Sequence, residues 1–275
     1  MVRVPAEAGP SRGQFPLSPV VVRQAVCVDR TSAQVTAISD PLPEIWHGIP
    51  LRIRQVTVAV DRPNFMRNPT DCSPKRVAAT FTSTGGAQAG ANQPFQATGC
   101  ARLAFKPKLT MRLTGRKQTR TGKHPGVRAQ VTQTGLGEAD IKQAVVRLPK
   151  SLALDPDNAQ ALCEFEAGTK PDLENHCPKG SIVGRARAVS PLLKRPLAGN
   201  VYFVKNVRVD KETGNQIRTL PMIVVALRGE IAVNLKGESS TTRSGKLVNT
   251  FAEVPDAPVS RFNLNIAGGR NGILA

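Results

Sequence analysis

Five cysteines are the side chains of this 275-residue sequence best suited to covalent chemistry, at positions 27, 72, 100, 163 and 177. They include no CxxC or CxH spacing, which argues against a zinc site. Cys72 and Cys100 flank one hairpin-sized segment, and Cys163 and Cys177 bracket an irregular connection. The spacing therefore predicts two local disulfides of roughly 3 kcal/mol each, with Cys27 left to pair elsewhere. The alternative is five free thiols in a cytosolic protein, because disulfides persist only in an oxidising compartment.

His176 and Cys177 come nearest to a nucleophile with its base. Adjacent side chains point apart, however, and no glycine turn or third orienting group accompanies them. Acidic residues are frequent in the same connection, which leaves a paired-carboxylate hydrolase as an alternative to a solvated face. These acids are Glu164, Glu166, Asp172 and Glu174. No P-loop, GxGxxG or GxSxG string occurs, so we predict no catalytic residue, no metal ligand and no cofactor.

Positive charge is the remaining chemical signal, since 38 Lys and Arg residues stand against 20 Asp and Glu, a formal net charge of +18. Such an excess favours a polyanionic partner. Four cations of one turn-like stretch are candidate polyanion contacts. They are Arg116, Lys117, Arg120 and Lys123, and no aromatic side chain lies between them to stack on unpaired bases. The alternative is a solvated surface whose cations keep exposed strand edges from pairing with other chains.

β-Strands must position these side chains, because apolar residues recur with a period of two along most of the chain. The clearest alternation runs over 101–113, where one face is predicted to be buried and the other wet. Pro107 cannot donate to a ladder, so this stretch is an edge strand or two strands that meet at a bend. Residues 222–227 are all apolar, which predicts a strand covered on both faces. A short helix is predicted only within 157–166.

Turn residues separate the other predicted strands. These strands span 20–28, 51–60, 77–83, 127–132, 144–148, 182–189, 201–209, 221–227, 231–235, 246–251 and 262–266. Their number and shortness predict an all-β fold of two tandem β-sandwich-like modules, mostly antiparallel. The first module would span 41–108 and the second 109–275, with 1–40 as an N-terminal extension or the tail of a preceding module. The second module is expected to be truncated at its C-terminal end.

Three short strings occur in order along the chain. Asn68-Pro69-Thr70-Asp71-Cys72 comes first, Cys177-Pro178 with Ser181 and Gly184 follows, and Val254-Pro255-Asp256-Ala257-Pro258 comes last. Together they resemble the large, mostly uncharacterised secreted or cell-surface β-rich proteins of high-GC Gram-positive bacteria. In that family an NPTxC segment and a CPxxSxxG segment recur within repeated modules. The resemblance covers about residues 41–275.

The resemblance implies an exported, multi-module protein without assigned catalytic activity, in which the two predicted disulfides take the positions of the family's cysteines. The leading hypothesis is therefore a non-enzymatic extracellular structural or adhesive surface module, with neighbouring modules of a longer chain as partners. One alternative is a module that binds an acidic glycan, a cell-wall polymer or extracellular DNA through its basic loops, and a hydrolase with an unrecognised site is the third. No apolar run approaches the roughly 20 residues of a membrane span. The first residues hold no signal-peptide core, so the extracellular or cell-surface location rests on the resemblance and the cysteines.

Overall fold

A computed structural model describes residues 2–8, 15–51, 53, 55–57, 67–134, 136–210 and 214–275. The described chain is all-β with antiparallel sheets, and its one α-helix, α1, is the single turn Phe165–Gly168. The predicted fold class, all-β with one short helix at most, is confirmed. The chain divides into two compact units, residues 1–67 and 68–275.

Three two-stranded antiparallel sheets form the first unit. Strand β1 (Val2–Ala8) pairs with β2 (Phe15–Val22), β3 (Gln24–Val28) with β4 (Val35–Ser39), and β5 (Ile45–Trp46) with β6 (Ile49–Pro50). The strand predicted over 20–28 is therefore two strands of different sheets. The strand predicted over 51–60 is wrong at 51, 53 and 55–57, which belong to no strand, although the Leu51 N–H donates to the Glu44 carbonyl. Its other residues lie outside the described ones.

A hairpin opens the second unit, and the Cys72–Cys100 disulfide joins the segments that flank it. Its strands are β7 (Lys75–Thr82) and β8 (Gln88–Phe95). Just before it, the Asp256 carboxylate accepts hydrogen bonds from the Thr70 hydroxyl at 2.6 Å and from the Thr70 backbone N–H at 3.0 Å. The strings at 68–72 and 254–258 thus meet in space. These bonds join residue 70 of the predicted first module to residue 256 of the predicted second module. The module division itself stays a prediction.

Nine strands form the main sheet, in the order β11-β16-β15-β14-β13-β12-β17-β10-β9. Each strand predicted beyond residue 120 overlaps one of them. They are β9 (Lys108–Thr114), β10 (Gly126–Thr132), β11 (Ala144–Arg147), β12 (Ile182–Val189), β13 (Leu197–Val209), β14 (Gln216–Arg228), β15 (Ala232–Thr241), β16 (Leu247–Phe251) and β17 (Arg261–Ile266). Strand β17 is last in the sequence, yet it lies between β10 and β12.

The sheet curls, and one set of alternating side chains fills its inner face. Val201, Phe203 and Val225 are fully buried there. Residues from both edge strands, Met111 of β9 and Val146 of β11, line one apolar cavity of about 90 Å³. Since opposite edges border the same cavity, the inner face is concave and holds the main core.

The stretch predicted to bury one face, 101–113, behaves differently. A 3-10 turn, Cys100–Arg102, occupies its start, and the strand begins only after Pro107, as the outermost strand of the sheet. The edge-strand prediction is therefore right, but the prediction of a buried face is wrong. Leu109, Met111 and Leu113 stay 59%, 41% and 41% exposed, because β9 has a neighbouring strand on one side only.

A long connection, residues 155–181 and hereafter the strap, covers part of the outer face of the sheet. The Cys163–Cys177 disulfide closes it. The helix predicted over 157–166 is wrong, because the Cys163 backbone pairs with β13 by accepting from Lys205 N–H and donating to Phe203 C=O. That pairing needs extended backbone, which leaves a 3-10 turn at Pro156–Asn158 and the single α-turn that begins at Phe165.

The strap gives β14 its second cover. Met222, Val224 and Ala226 pack under it with Cys163 and Leu173. The alternate residues of β14, from Ile223 to Leu227, belong to the inner core. The prediction that 222–227 is covered on both faces is confirmed.

Folding also explains the CPxxSxxG string. Cys177 is half of the strap disulfide, and the fully buried Ser181 hydroxyl donates to the Pro178 carbonyl at 2.6 Å. At Gly184, a Cβ would lie 2.1 Å from the Asn265 carbonyl oxygen, so only glycine lets β12 lie against β17. The string therefore encodes local structure rather than a reactive site.

Candidate functional site

The rest of the outer face, on strands β9, β10, β17 and β12, is open to solvent and carries positive charge. Residues directly opposite in an antiparallel pair share a face. Arg112 lies opposite Arg128, and Asn265 lies opposite both Arg128 and Arg185. Extending this register along the four strands places six exposed cations on one surface, hereafter the basic face. They are Lys108, Arg112, Arg128, Arg185, Arg187 and Arg261.

Among the residues that the structure describes, no acid neutralises the basic face. The four strands contain no Asp or Glu. Within the described residues, five of the six cations have no ion pair and no side-chain hydrogen bond, and Arg128 bonds only a neutral amide. Like charges on neighbouring strands repel one another, so an anion that binds between them lowers the electrostatic free energy of this surface.

Neutral hydrogen-bonding side chains separate the cations. Every remaining outward position of the four strands, apart from Gly126, Ile182 and Val189, carries an amide or a hydroxyl. These side chains are Thr110, Thr114, Gln130, Thr132, Asn263 and Asn265. The face therefore offers both charge and neutral donors and acceptors.

One end of the basic face is hollow. A cavity of about 420 Å³ lies between Thr114, Arg128, Arg185 and Asn265, with the backbone of Gly268 beside them. Arg128 Nε donates to Asn265 Oδ1 at 3.1 Å, so two of the residues that line the cavity bond each other. Two guanidinium groups and one amide thus border a single polar hollow without an acid.

The predicted basic loop lies next to this hollow. Arg116, Lys117, Arg120 and Lys123 are exposed in the turn between β9 and β10. Thr114, the last residue of β9, lines the cavity, so the loop begins at its border. The loop connects two of the four strands of the basic face, β9 and β10, although the structure shows no single contact that joins the four loop cations.

A half-buried contact between His124 and Asp155 holds the far end of that loop. His124 Nε2 lies 2.8 Å from Asp155 Oδ2, and the Gly269 N–H donates to the His124 carbonyl. The hydrogen bond from His124 holds the pKa of the Asp155 carboxyl below its ordinary value. Through this pair the loop is tied to the start of the strap.

Three of the four strap acids considered above for hydrolysis are engaged in structural contacts, and Glu166 is the fourth. Glu164 pairs with Lys205, Asp172 with His176, and Glu174 with Arg228. The hydrogen bond from Arg228 lowers the pKa of the Glu174 carboxyl. Cys177 is oxidised in its disulfide and has no thiol, so the His176–Cys177 nucleophile pair is excluded.

Sequence reasoning found the loop but missed the basic face. The signal was present, because cations recur at every second or fourth position of strings such as KLTMR and GRAR. What the pattern lacked was the order of strands, since β17 lies between β10 and β12 although it is remote from both in the sequence.

Comparisons with protein-family models, curated proteins and solved structures find no match to this chain. Among the described residues, no helix has the length and apolar character needed to cross a membrane. In the same part of the chain, no three His, Cys, Asp or Glu side chains gather as a metal site. The resemblance to cell-surface proteins therefore stays a prediction.

Proposed function

We propose that this chain is an extracellular β module that adheres to anionic polymers through its basic face. The single observation that supports the proposal is the set of six exposed cations on four adjacent strands without one acid. A polyanion that covers such a surface releases its condensed counterions, so several weak contacts combine into salt-dependent binding.

The position of the cations favours binding over edge protection. Only Lys108 and Arg112 lie on an edge strand, where a charge keeps other chains from pairing. Arg128, Arg185 and Arg187 lie on strands that already have a neighbour on each side. Protection of a strand edge does not explain why these three positions carry arginine, whereas binding of an anionic ligand does.

The two disulfides support the proposed location. Both link residues close in sequence, and such bonds persist in oxidising compartments such as the cell exterior. An adhesive role on a surface follows from polymer binding, since the partner would be an acidic glycan or a cell-wall polymer. A catalytic role finds less support, because two of the strap acids, Glu164 and Glu174, are held in ion pairs.

Removing the charges of the basic face tests the proposal. A variant with Arg112→Ser, Arg128→Ser, Arg185→Ser and Arg187→Ser should elute from heparin at clearly lower salt than the native protein. For duplex DNA the slope of log affinity against log salt should shrink by about three to four, near 0.9 for each lost phosphate contact.

The matched control removes four exposed cations elsewhere in the chain, through Lys150→Ser, Arg195→Ser, Arg243→Ser and Lys246→Ser. Both variants carry the same net charge, so a long-range effect would weaken them equally. If the control loses as much retention as the first variant, no local site exists and the module is a structural spacer with a soluble surface.

A further inference from the structure

The neutral side chains of the basic face carry an inference about which polyanion binds. Gln130 lies opposite Asn263, and Arg187 lies opposite Asn263 on the other side. This middle row of the face begins with Thr110 on β9, which lies opposite Gln130. The row therefore consists of a hydroxyl, two amides in the middle and one cation at the far end.

Charged rows border the amide row on both sides. Arg112, Arg128 and Arg185 lie two residues along the strands in one direction, and Lys108 and Arg261 lie two residues along in the other. Two residues of strand span about 6.6 Å. A polymer that lies across the four strands would therefore meet charge on either side and neutral polar groups between.

The amides need a ligand that can donate as well as accept. Gln130 and Asn263 are half-buried, and within the described residues neither side chain makes a hydrogen bond. Each amide has a carbonyl oxygen that accepts and an NH₂ group that donates. A phosphodiester or a sulfate ester only accepts, so under a polymer that offers these groups alone the carbonyl oxygens would lose water without a replacement. A sugar hydroxyl donates and accepts, and it satisfies both halves of the amide.

The face also lacks what nucleic acid bases require. All outward residues of the four strands are aliphatic or polar, and Phe262, the aromatic residue of β17, has the inward parity and packs against the inner core. Single-strand binding without sequence preference relies on aromatic side chains that stack on bases. Charge with amides and without aromatics therefore favours a polymer with hydroxyl groups over one with exposed bases.

We infer that the polyanion taken by this face is a hydroxyl-bearing one, an acidic polysaccharide, and that Gln130 and Asn263 hydrogen-bond its hydroxyl groups between the flanking arginines. The inference rests on the proposed function, because it assigns the ligand class of the same surface.

The test compares two soluble polyanions, heparin, which carries sugar hydroxyls, and long-chain inorganic polyphosphate, which carries none. The double variant Gln130→Leu with Asn263→Leu keeps every charge. We expect its affinity for heparin to fall by about tenfold, one well-made polar contact, and its affinity for polyphosphate to stay within about twofold. The salt slope for both polymers should be that of the native protein, because no cation has been removed.

A matched control removes two exposed amides elsewhere, through Gln143→Leu and Gln216→Leu, and should bind both polymers as the native protein does. Thr110→Val, which alters the same row on the edge strand without touching the interior strands, serves as a second variant and should also weaken only heparin. Equal losses for both polymers, or no loss for either, would overturn the inference. Failure of the proposed function is a different result, in which the four-arginine variant and its control bind heparin alike.

Discussion

Two halves of one sheet surface differ in almost every respect. On β13 and β14 the outer residues Tyr202, Val204 and Val224 are apolar and lie buried under the strap. On β9, β10, β17 and β12 the outer positions hold cations, amides and hydroxyls and stay open. Both halves alternate with the same period over the same continuous inner core. The two halves differ in the side chains of the outer face and in what covers them.

Arginines of the two halves make the contrast sharper. Arg187 and Arg228 lie in one row of the sheet, each directly opposite Ala198. Arg228 has Glu174 of the strap as its partner and also donates to the Pro171 carbonyl. Arg187 has no such partner among the described residues. Where the strap covers the sheet, charge is neutralised within the chain, and where the sheet is bare, charge is left for a ligand.

Placing a charge in each half should give the largest difference in the free energy of unfolding. Val224→Lys would bury an unpaired ammonium beneath the strap, with a loss of more than about 4 kcal/mol in the free energy of unfolding. Asn265→Lys on the open half should cost no more than about 1 kcal/mol, through one lost exposed hydrogen bond and repulsion from Arg128 and Arg185. It should raise retention on heparin. Urea unfolding followed by circular dichroism measures both. Equal stability losses would show that the two halves do not differ in cover.

Removing the strap disulfide should have the next largest effect on stability. Cys163→Ala with Cys177→Ala releases a closure over a sequence separation of 14, for which chain entropy gives about 3 kcal/mol. In the folded protein, elution from heparin should stay at the native salt concentration, because the basic face lies on other strands. The urea midpoint and the heparin column together test this. Weaker retention below the unfolding transition would mean that the strap supports the basic face.

The ion pair between Glu174 of the strap and Arg228 of the sheet should contribute less to the free energy of unfolding, and its contribution should depend on pH. Arg228 lowers the pKa of Glu174, so the pair stabilises the fold above the ordinary glutamate pKa near 4.3, and this stability is lost as the pH falls through the lowered value. Glu174→Gln should cost about 1 kcal/mol at pH 7, allowing for solvent screening of a part-exposed pair.

Stability measured from pH 7 down to pH 3 checks the sign. The native protein should lose more of its stability over this range than the Glu174→Gln variant does. Arg187→Ala on the open half serves as the control and should leave the pH profile unchanged. A variant that loses stability in parallel with the native protein would show that the pair contributes nothing.

The basic loop should have the smallest effect on stability. Arg116→Ser, Arg120→Ser and Lys123→Ser are combined with Lys117→Gly, because Lys117 has a φ of 62°, which glycine adopts without strain. Unfolding should shift by less than about 0.5 kcal/mol. The salt slope for duplex DNA should fall by less than the three to four units expected for the face, since no ladder holds the loop cations in rows. If the salt slope falls more for the loop variant than for the variant of the basic face, the loop is the main binding site.

Much of the local structure could be predicted from the chain itself. Alternation located the strands, with 182–189 matching β12 residue for residue, and the spacing of Cys72, Cys100, Cys163 and Cys177 indicated both disulfides. These predictions succeed because strand periodicity and short loop closure depend on residues near in sequence. The helix over 157–166 failed for the opposite reason, since pairing of Cys163 with β13 overrode its local preference.

The sequence by itself determined which residues of each strand share a face, because the pleat alternates whatever lies beside the strand. It therefore already contained the six cations and their spacing. Only the tertiary structure decided that β17 separates β10 from β12 and that the strap lies over β13 and β14 rather than over the arginines. Strand order and cover depend on contacts between distant segments, whose free energy is set by the packing of the whole sheet and not by any local pattern.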